Sequence, residues 1–252
     1  MFLLIINYFV IALKGEKKMD SYRKTAIIVG ALFIIATVTA ILTIAILGST
    51  LDTPLDYNTI TENEYQIGLA AVFWIILAAS VTGIGFMMYP ILKKYHEGFA
   101  LGYISFRLAE SVCIIISSIA ILSLLTISKE YTGGTLEAIY YQPSGNLLLA
   151  LQNWSFEIGT LIFLGLGGFF IYYPLYELKL VPRILSIWGL IGAACVLLYG
   201  LLGLFGLTAD SVALNALAAP IAIQEMVFAV WLIVKGFTPS AIPTTSTKAK
   251  EN

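Results

Sequence analysis

Charge is what this sequence has least of. Only 12% of its 252 residues are charged, whereas a soluble domain is about one quarter charged. Hydrophobic residues make up 59%, and the mean hydropathy is +0.91. A chain this apolar cannot cover itself with polar surface, so the solvent for most of it must be lipid. The net charge of −1 offers no basic face to phosphates, which argues against a nucleic-acid partner.

Histidine and cysteine are also scarce. The single histidine, His96, lies in a short charged loop where a solvated role is expected, and one histidine cannot form a zinc-protease motif. Cys113 and Cys195 fall inside apolar runs, which indicates small core residues and neither a disulfide framework nor a metal site. The sequence contains no nucleophile elbow, phosphate-binding loop or dinucleotide fingerprint. We therefore predict no catalytic residues, no cofactor and no metal.

Long apolar runs are what the sequence has instead. A helix needs about 20 apolar residues to cross the hydrocarbon core, and lipid offers no partner for a free backbone N–H or C=O. The sequence therefore predicts an all-α polytopic membrane bundle of six transmembrane helices. The predicted spans are Thr25–Leu47, Ile67–Leu92, Phe99–Ile127, Leu147–Tyr176, Ile184–Leu207 and Asn215–Phe237.

The basic residues are distributed unevenly between the predicted loops. Twelve of the 14 Lys and Arg residues fall on one side of the six spans, Lys129 falls on the other, and Arg107 lies within a span. Because loops rich in Lys and Arg stay in the cytoplasm, we expect both termini to be cytoplasmic in a plasma-membrane protein. The twelve are Lys14, Lys17, Lys18, Arg23, Lys24, Lys93, Lys94, Lys179, Arg183, Lys235, Lys248 and Lys250.

The two ends of the chain differ from its centre. The stretch "MFLLIINYFVIAL" is too short to span comfortably, so residues 1–18 are either an interfacial segment or precede a natural start at Met19. Residues 19–237 form the predicted transmembrane domain. Residues 238–252 are rich in Pro, Ser, Thr and Lys and are predicted to be a disordered tail.

Ionisable residues interrupt three of the spans. In "FRLAESVC", Arg107 and Glu110 are one helical turn apart, and Glu157 and Glu225 lie in the fourth and sixth spans. At about 1.5 Å per residue, all four fall roughly halfway through a core ~30 Å thick. Each would cost about 2.5–3.5 kcal/mol in lipid, so we expect them to face one another or water.

Neighbouring residues extend this cluster into a predicted pocket. Asn153 shares a helix face with Glu157, Trp154 could wall the pocket, and Pro220 is expected to kink the sixth helix. The predicted ligand or ion pocket consists of Arg107, Glu110, Asn153, Trp154, Glu157, Gln224 and Glu225.

The formal charge of the pocket indicates its chemistry. One Arg and three Glu carry −2 if all are ionised, so we expect either a protonated glutamate or a bound cation. The leading hypothesis is binding, or proton-linked movement, of a small cation or polar solute. The alternative is a non-transporting sensor or accessory subunit in which the cluster is structural. A further alternative is an intramembrane enzyme that uses paired glutamates for acid–base chemistry.

Three stretches resemble a known family. They are "GYISFRLAES", "VPRILSIWGLIGA" and "PIAIQEMVFAVWLIVKGF". Together they are similar to the prokaryotic multi-pass membrane proteins grouped as domain of unknown function 4386, over about Met19 to Phe237. The resemblance implies a six- or seven-helix membrane protein and supplies no established activity or site residues.

Overall fold

A computed structural model describes residues 21–48, 50–134, 138–207 and 216–238. The predicted N-terminal segment 1–18 lies outside the described residues, as does the predicted tail apart from Thr238. Two regions between spans, 135–137 and 208–215, also lie outside them.

Every regular element of the described chain is helical. Because α5, the π-helical segment and α6 follow one another without a break, these elements make six helices long and apolar enough to cross a membrane. The prediction of an all-α polytopic bundle with six spans is confirmed. The elements are α1 (Ser21–Leu47), α2 (Tyr57–Glu62), α3 (Glu64–Leu92), α4 (Glu97–Gly133), α5 (Ala138–Glu157), the π segment (Ile158–Phe163), α6 (Leu164–Glu177), α7 (Arg183–Leu204), a 3-10 turn (Ala216–Ala218) and α8 (Ala219–Val234).

The two long polar connections hold more helix than the sequence predicted. Helix α4 continues past Ile127 to Gly133, and α5 begins at Ala138, so the predicted loop from Ser128 to Asn146 is largely helical. The helices can extend beyond the apolar spans because water and lipid headgroups hydrate their polar side chains. These side chains can also contact one another. Lys129 of α4 forms an ion pair with Glu64 of α3, and the rings of Tyr131 and Tyr57 lie 5.1 Å apart.

The first long connection also contains the short helix α2. Asp56 caps its N-terminus, because the carboxylate accepts hydrogen bonds from the Thr59 hydroxyl (2.7 Å) and the Asn58 N–H (3.0 Å). These bonds hold the pKa of the Asp56 carboxyl below its usual value. Tyr57 then donates a hydrogen bond to the carbonyl of Tyr141, which ties α2 to the start of α5.

Pro220 does not kink the sixth span. The α-helix begins only at Ala219, after the 3-10 turn, so Pro220 lies in the first turn of α8. A first-turn N–H has no intrahelical acceptor, so proline is tolerated there without a bend. The prediction of a proline-kinked helix lining the pocket is therefore wrong.

The six spans pack as a closed ring. Helix α1 contacts α3, α3 contacts α4, α4 contacts α5, the π segment and α6, α6 contacts α7, α7 contacts α8, and α8 returns to α1. Glycine allows the closing contact, since a Cβ at Gly30 of α1 would lie 2.6 Å from the Ala229 carbonyl oxygen of α8. The guanidinium of Arg23 bonds the last carbonyls of α8, at Leu232 (2.9 Å) and Ile233 (2.5 Å). The ring encloses an interior to which α1, α3, α4 and α8 contribute side chains.

Candidate functional site

Arg107 and Glu110 form an ion pair in the interior of the ring. They lie one turn apart on the buried face of α4, and their residue exposures are 4% and 2%. Arg107 Nη1 donates to Glu110 Oε2 across 2.9 Å. The i, i+3 spacing read from the sequence therefore produces the expected pair.

A second carboxylate reaches the same guanidinium from α8. Arg107 Nη2 donates to Glu225 Oε1 across 3.3 Å, and the Glu225 side chain is 13% exposed. The third guanidinium nitrogen, Nε, donates to the Tyr103 hydroxyl one turn earlier on α4 at 3.0 Å. We call Tyr103, Arg107, Glu110 and Glu225 the Arg107 cluster. All three guanidinium nitrogens have acceptors in it.

Aromatic rings and glycines enclose the Arg107 cluster. The guanidinium carbon lies 5.6 Å from the ring centroid of Phe33 and 5.3 Å from that of Tyr103. A Cβ at Gly85 of α3 would lie 3.1 Å from the Arg107 Cβ. A Cβ at Gly159 of the π segment would lie 3.2 Å from the Glu110 carbonyl oxygen. These close approaches keep lipid and bulk water away from the ion pairs, so their attraction is little screened.

Gln224 belongs to a separate polar contact beside the cluster. Its Oε1 accepts a hydrogen bond from the Tyr172 hydroxyl of α6 (2.7 Å), and its Nε2 donates to the Leu185 carbonyl of α7 (3.1 Å). Gln224 is fully buried, and it directly precedes Glu225. Two consecutive residues of α8 thus bond to three other helices: α4 through Glu225, and α6 and α7 through Gln224.

Sequence reasoning missed the two tyrosines of these contacts. Tyr103 could have been found, because it lies four residues before Arg107 on the same helix face. Tyr172 gave no such signal. It sits in an aromatic run that is equally typical of an interfacial anchor, and only the packing of α6 brings it to Gln224.

The structure does not bring the α5 residues of the predicted pocket to the cluster. Asn153, Trp154 and Glu157 are all exposed, Trp154 by 45%. None of the hydrogen bonds and ion pairs of the described residues joins Glu157 to Arg107. The expectation that four ionisable residues meet at one point is therefore corrected to three. The reason is rotation of α5 about its axis, which depth along the chain does not specify.

The cluster has one more acid than base. Arg107 supplies +1, while Glu110 and Glu225 supply −2 if both ionise, which leaves −1 in a site shielded from water. Among the described residues, no three His, Cys, Asp or Glu side chains converge in a way that could hold a metal. A proton on one carboxyl would balance the charge without needing any cavity.

Two surface grooves lie elsewhere. One is near the basic end, between Lys179 and Arg183 and close to Trp231. The other is at the opposite end, between Thr53 and the α5 face that carries Asn153. Neither is lined by the four residues of the Arg107 cluster.

Comparison with known sequences finds one family. A family model described as "Domain of unknown function (DUF4386)" matches residues 28–236, which contain all six spans apart from the first residues of α1. Searches of the curated proteins and of the solved structures found no match to this chain.

Proposed function

This chain belongs to the DUF4386 family of unknown function, and we propose that its Arg107 cluster binds a proton, or a small cation in its place, to drive movement of a small polar solute across a membrane. The observation that carries the proposal is the arrangement of two carboxylates on one guanidinium. Removing charges from water costs several kcal/mol per ion, and one unbalanced negative charge in such a site has no offsetting attraction. A proton on either Glu110 or Glu225 removes that cost.

The position of Glu225 links protonation to helix packing. Glu225 is the only residue of α8 among the charged members of the cluster, and its contact with Arg107 is the longer of the two ion pairs, 3.3 Å against 2.9 Å. Neutralising Glu225 would weaken this contact between α8 and α4, whereas Arg107 and Glu110 belong to one helix and move together. Occupancy of one proton site can therefore bias the position of α8.

Infrared difference spectroscopy tests for the proton. In the purified protein near neutral pH, we expect a stretching band of a protonated carboxyl that is lost or shifted in Glu225→Gln or in Glu110→Gln. Glu177→Gln is the matched control, because Glu177 is an exposed acid at the end of α6. A band that disappears only in Glu157→Gln would move the proton to α5 and contradict the proposal. So would full ionisation of both cluster carboxyls with no bound cation.

A purely structural role is the second candidate. It is favoured by the hydrogen bonds of Arg107, whose Nε, Nη1 and Nη2 each donate to a side chain within the cluster. Such a cluster would fix helix register in a sensor or accessory subunit. Proton entry into proteoliposomes under an imposed membrane potential separates the two candidates. We expect faster entry with the wild type than with Glu225→Gln, whereas a structural cluster predicts no difference.

A further inference from the structure

Helix α5 carries a polar face whose residues do not belong to the Arg107 cluster. Asn146, Asn153 and Glu157 are separated by seven and four residues, so they lie on one face, and all three are exposed. None of them makes a hydrogen bond or ion pair within the described part of the chain. A bare carboxylate and two amides would be costly against hydrocarbon, because lipid offers them no hydrogen-bond partner.

The contacts of α5 show where this face points. Gln152 is buried and its carbonyl accepts a hydrogen bond from Ser117 of α4, while the ring of Phe156 stacks on Trp74 of α3 with centroids 5.4 Å apart. Asn153 follows Gln152, and Glu157 follows Phe156, each by about 100° in the same direction around the helix. The polar face therefore lies beyond the faces that contact α4 and α3.

The π segment shows which helix lies on the other side of this polar face. Leu161 comes four residues after Glu157, and in a π-helix such a residue stays on about the same face. A Cβ at Gly200 of α7 would lie 2.8 Å from the Leu161 Cβ, so this face meets α7 one turn further along. The packing with α7 runs through the π segment and α6. The polar face of α5 thus lies between the side that contacts α3 and the side that, one turn further along, meets α7.

A groove follows the same face to the surface. It has a volume of ≈ 590 Å³ and is lined on one side by Thr53 and Pro54, and on the other by α5 from Gln142 to Asn153. Glu157 does not line the groove itself; it lies one turn beyond Asn153, the last residue of α5 that does, on the same face and exposed. Trp154 lies three residues before Glu157, within reach as a cation–π surface.

We propose that this groove is an outer vestibule that binds a small ammonium-type cation, with Glu157 as its anionic partner. The amide oxygens of Gln142, Asn146 and Asn153 can accept hydrogen bonds from N–H groups, and Glu157 supplies a negative charge for which the described residues hold no paired cation. An anionic solute would meet the same carboxylate with repulsion. This inference goes beyond the proton site, because it concerns different residues and a different ligand.

Labelling of introduced cysteines in whole cells tests the vestibule. Asn153→Cys and Leu151→Cys are compared in a full-length background in which Cys113 and Cys195 are replaced by alanine. Leu151 is the matched control, since it is 45% exposed on the same helix but about 160° around from Asn153. Membrane-impermeant methanethiosulfonate reagents are added, one cationic and one anionic. We expect the Asn153→Cys thiol to react at least about ten times faster than the Leu151→Cys thiol, because lipid excludes such reagents.

The charge of the reagent and a competing cation test the ligand class. One carboxylate a few ångströms away attracts a cation and repels an anion by about 1 kcal/mol each even in water, so we expect the cationic reagent to react about 30-fold faster than the anionic one. Glu157→Gln should remove this preference. Methylammonium should slow labelling of Asn153→Cys, and should lose that effect in Glu157→Gln.

Two results would overturn the proposal. Labelling of Asn153→Cys as slow as that of Leu151→Cys would show that the face is covered, faces lipid or opens to the cytoplasm, and each of these rules out an outer vestibule. Fast labelling with no charge preference and no protection by methylammonium would show a wet groove without a cation site. Neither result bears on the carboxyl band of Glu110 and Glu225, so the vestibule and the proton site succeed or fail independently.

Discussion

Arg107 holds together two acids that would otherwise repel each other inside the ring. Glu110 belongs to the same helix as Arg107, α4, whereas Glu225 brings α8 to the same guanidinium. The side chains of Arg107 and Glu110 are 5% and 3% exposed, so neither charge can be hydrated by bulk water. A change at any of the three charged residues alters the balance for the other two.

Replacing Arg107 alone should destabilise the protein strongly. Arg107→Met leaves Glu110 and Glu225 buried without their cation, and breaking a buried pair typically costs about 3–5 kcal/mol. We expect a large fall in melting temperature in mild detergent, or poor folding. Glu177→Gln, an exposed acid at the end of α6, is the control and should melt like the wild type.

Removing all three charges distinguishes pairing from other effects. The triple variant Arg107→Met, Glu110→Leu, Glu225→Met eliminates the unpaired charges and fills the space with apolar atoms, so we expect it to regain most of the lost stability. The double variant that retains Glu225 should recover less. A triple variant as unstable as Arg107→Met would mean that these residues do not stabilise one another. A triple variant that folds but shows no proton entry in proteoliposomes would favour a proton site over a purely structural role.

At the scale of elements, the π segment decides how the fourth span meets its neighbours. It follows Glu157 directly, and Gly159 within it packs against the turn of α4 that contains Glu110 and Cys113. Wider π turns change which residues face a neighbouring helix, and they occur frequently at functional sites. Here the π segment follows the exposed polar face of α5 along the chain and packs against α4, the helix that carries the pair of Arg107 and Glu110.

Adding a methyl group at Gly159 should therefore disturb the site. In Gly159→Ala, the new Cβ would lie 2.8 Å from the Cys113 Cβ, which forces α4 and the π segment apart. Overpacking of this kind costs about 1–3 kcal/mol, and we expect a lower melting temperature and a shifted carboxyl band.

Gly68→Ala is the control for this change. Gly68 lies in α3, where an added Cβ would meet nothing within 4 Å, and alanine is the better helix former by about 0.5–1 kcal/mol. We expect Gly68→Ala to melt at or above the wild-type temperature. Equal losses in the two variants would show that the contact of Gly159 with α4 does not limit stability.

For the whole molecule, the basic loops share one end of the bundle. Lys94 lies 3.9 Å from the ring centroid of Tyr22, Arg23 bonds the last turn of α8, and the Thr238 N–H donates to the Leu180 carbonyl. These contacts join both ends of the described chain to the two basic connections. The placement of that end in the cytoplasm stays a prediction from the charge bias.

Reporter fusions should establish the orientation. Fusions after Lys94 and after Arg183 are expected to read cytoplasmic, and fusions within Leu51–Glu64 are expected to read external. The two basic sites control for each other, because the structure places them at the same end. An external result at Lys94 would reverse the vestibule, whose groove would then open to the cytoplasm.

Sequence reasoning predicted the helices and the three charged members of the Arg107 cluster. Composition and run length predicted six spans, since lipid leaves the backbone no alternative to helix. The i, i+3 spacing predicted the pair of Arg107 and Glu110, because both residues belong to one helix and helical geometry places such residues side by side. Depth along the spans also placed Glu225 near them, and the contact with Arg107 bears this out.

The tertiary structure alone decided which distant acid joins Arg107. Glu157 and Glu225 look equivalent by depth, yet Glu225 bonds the guanidinium and Glu157 is exposed on α5. The difference is rotation about the helix axis, which the sequence of one span does not specify. Glycine contacts such as that of Gly159 with α4, together with the wider turns of the π segment, set that rotation. The sequence by itself thus determined the class of protein and the existence of buried charge, while the packing between helices determined where that charge meets.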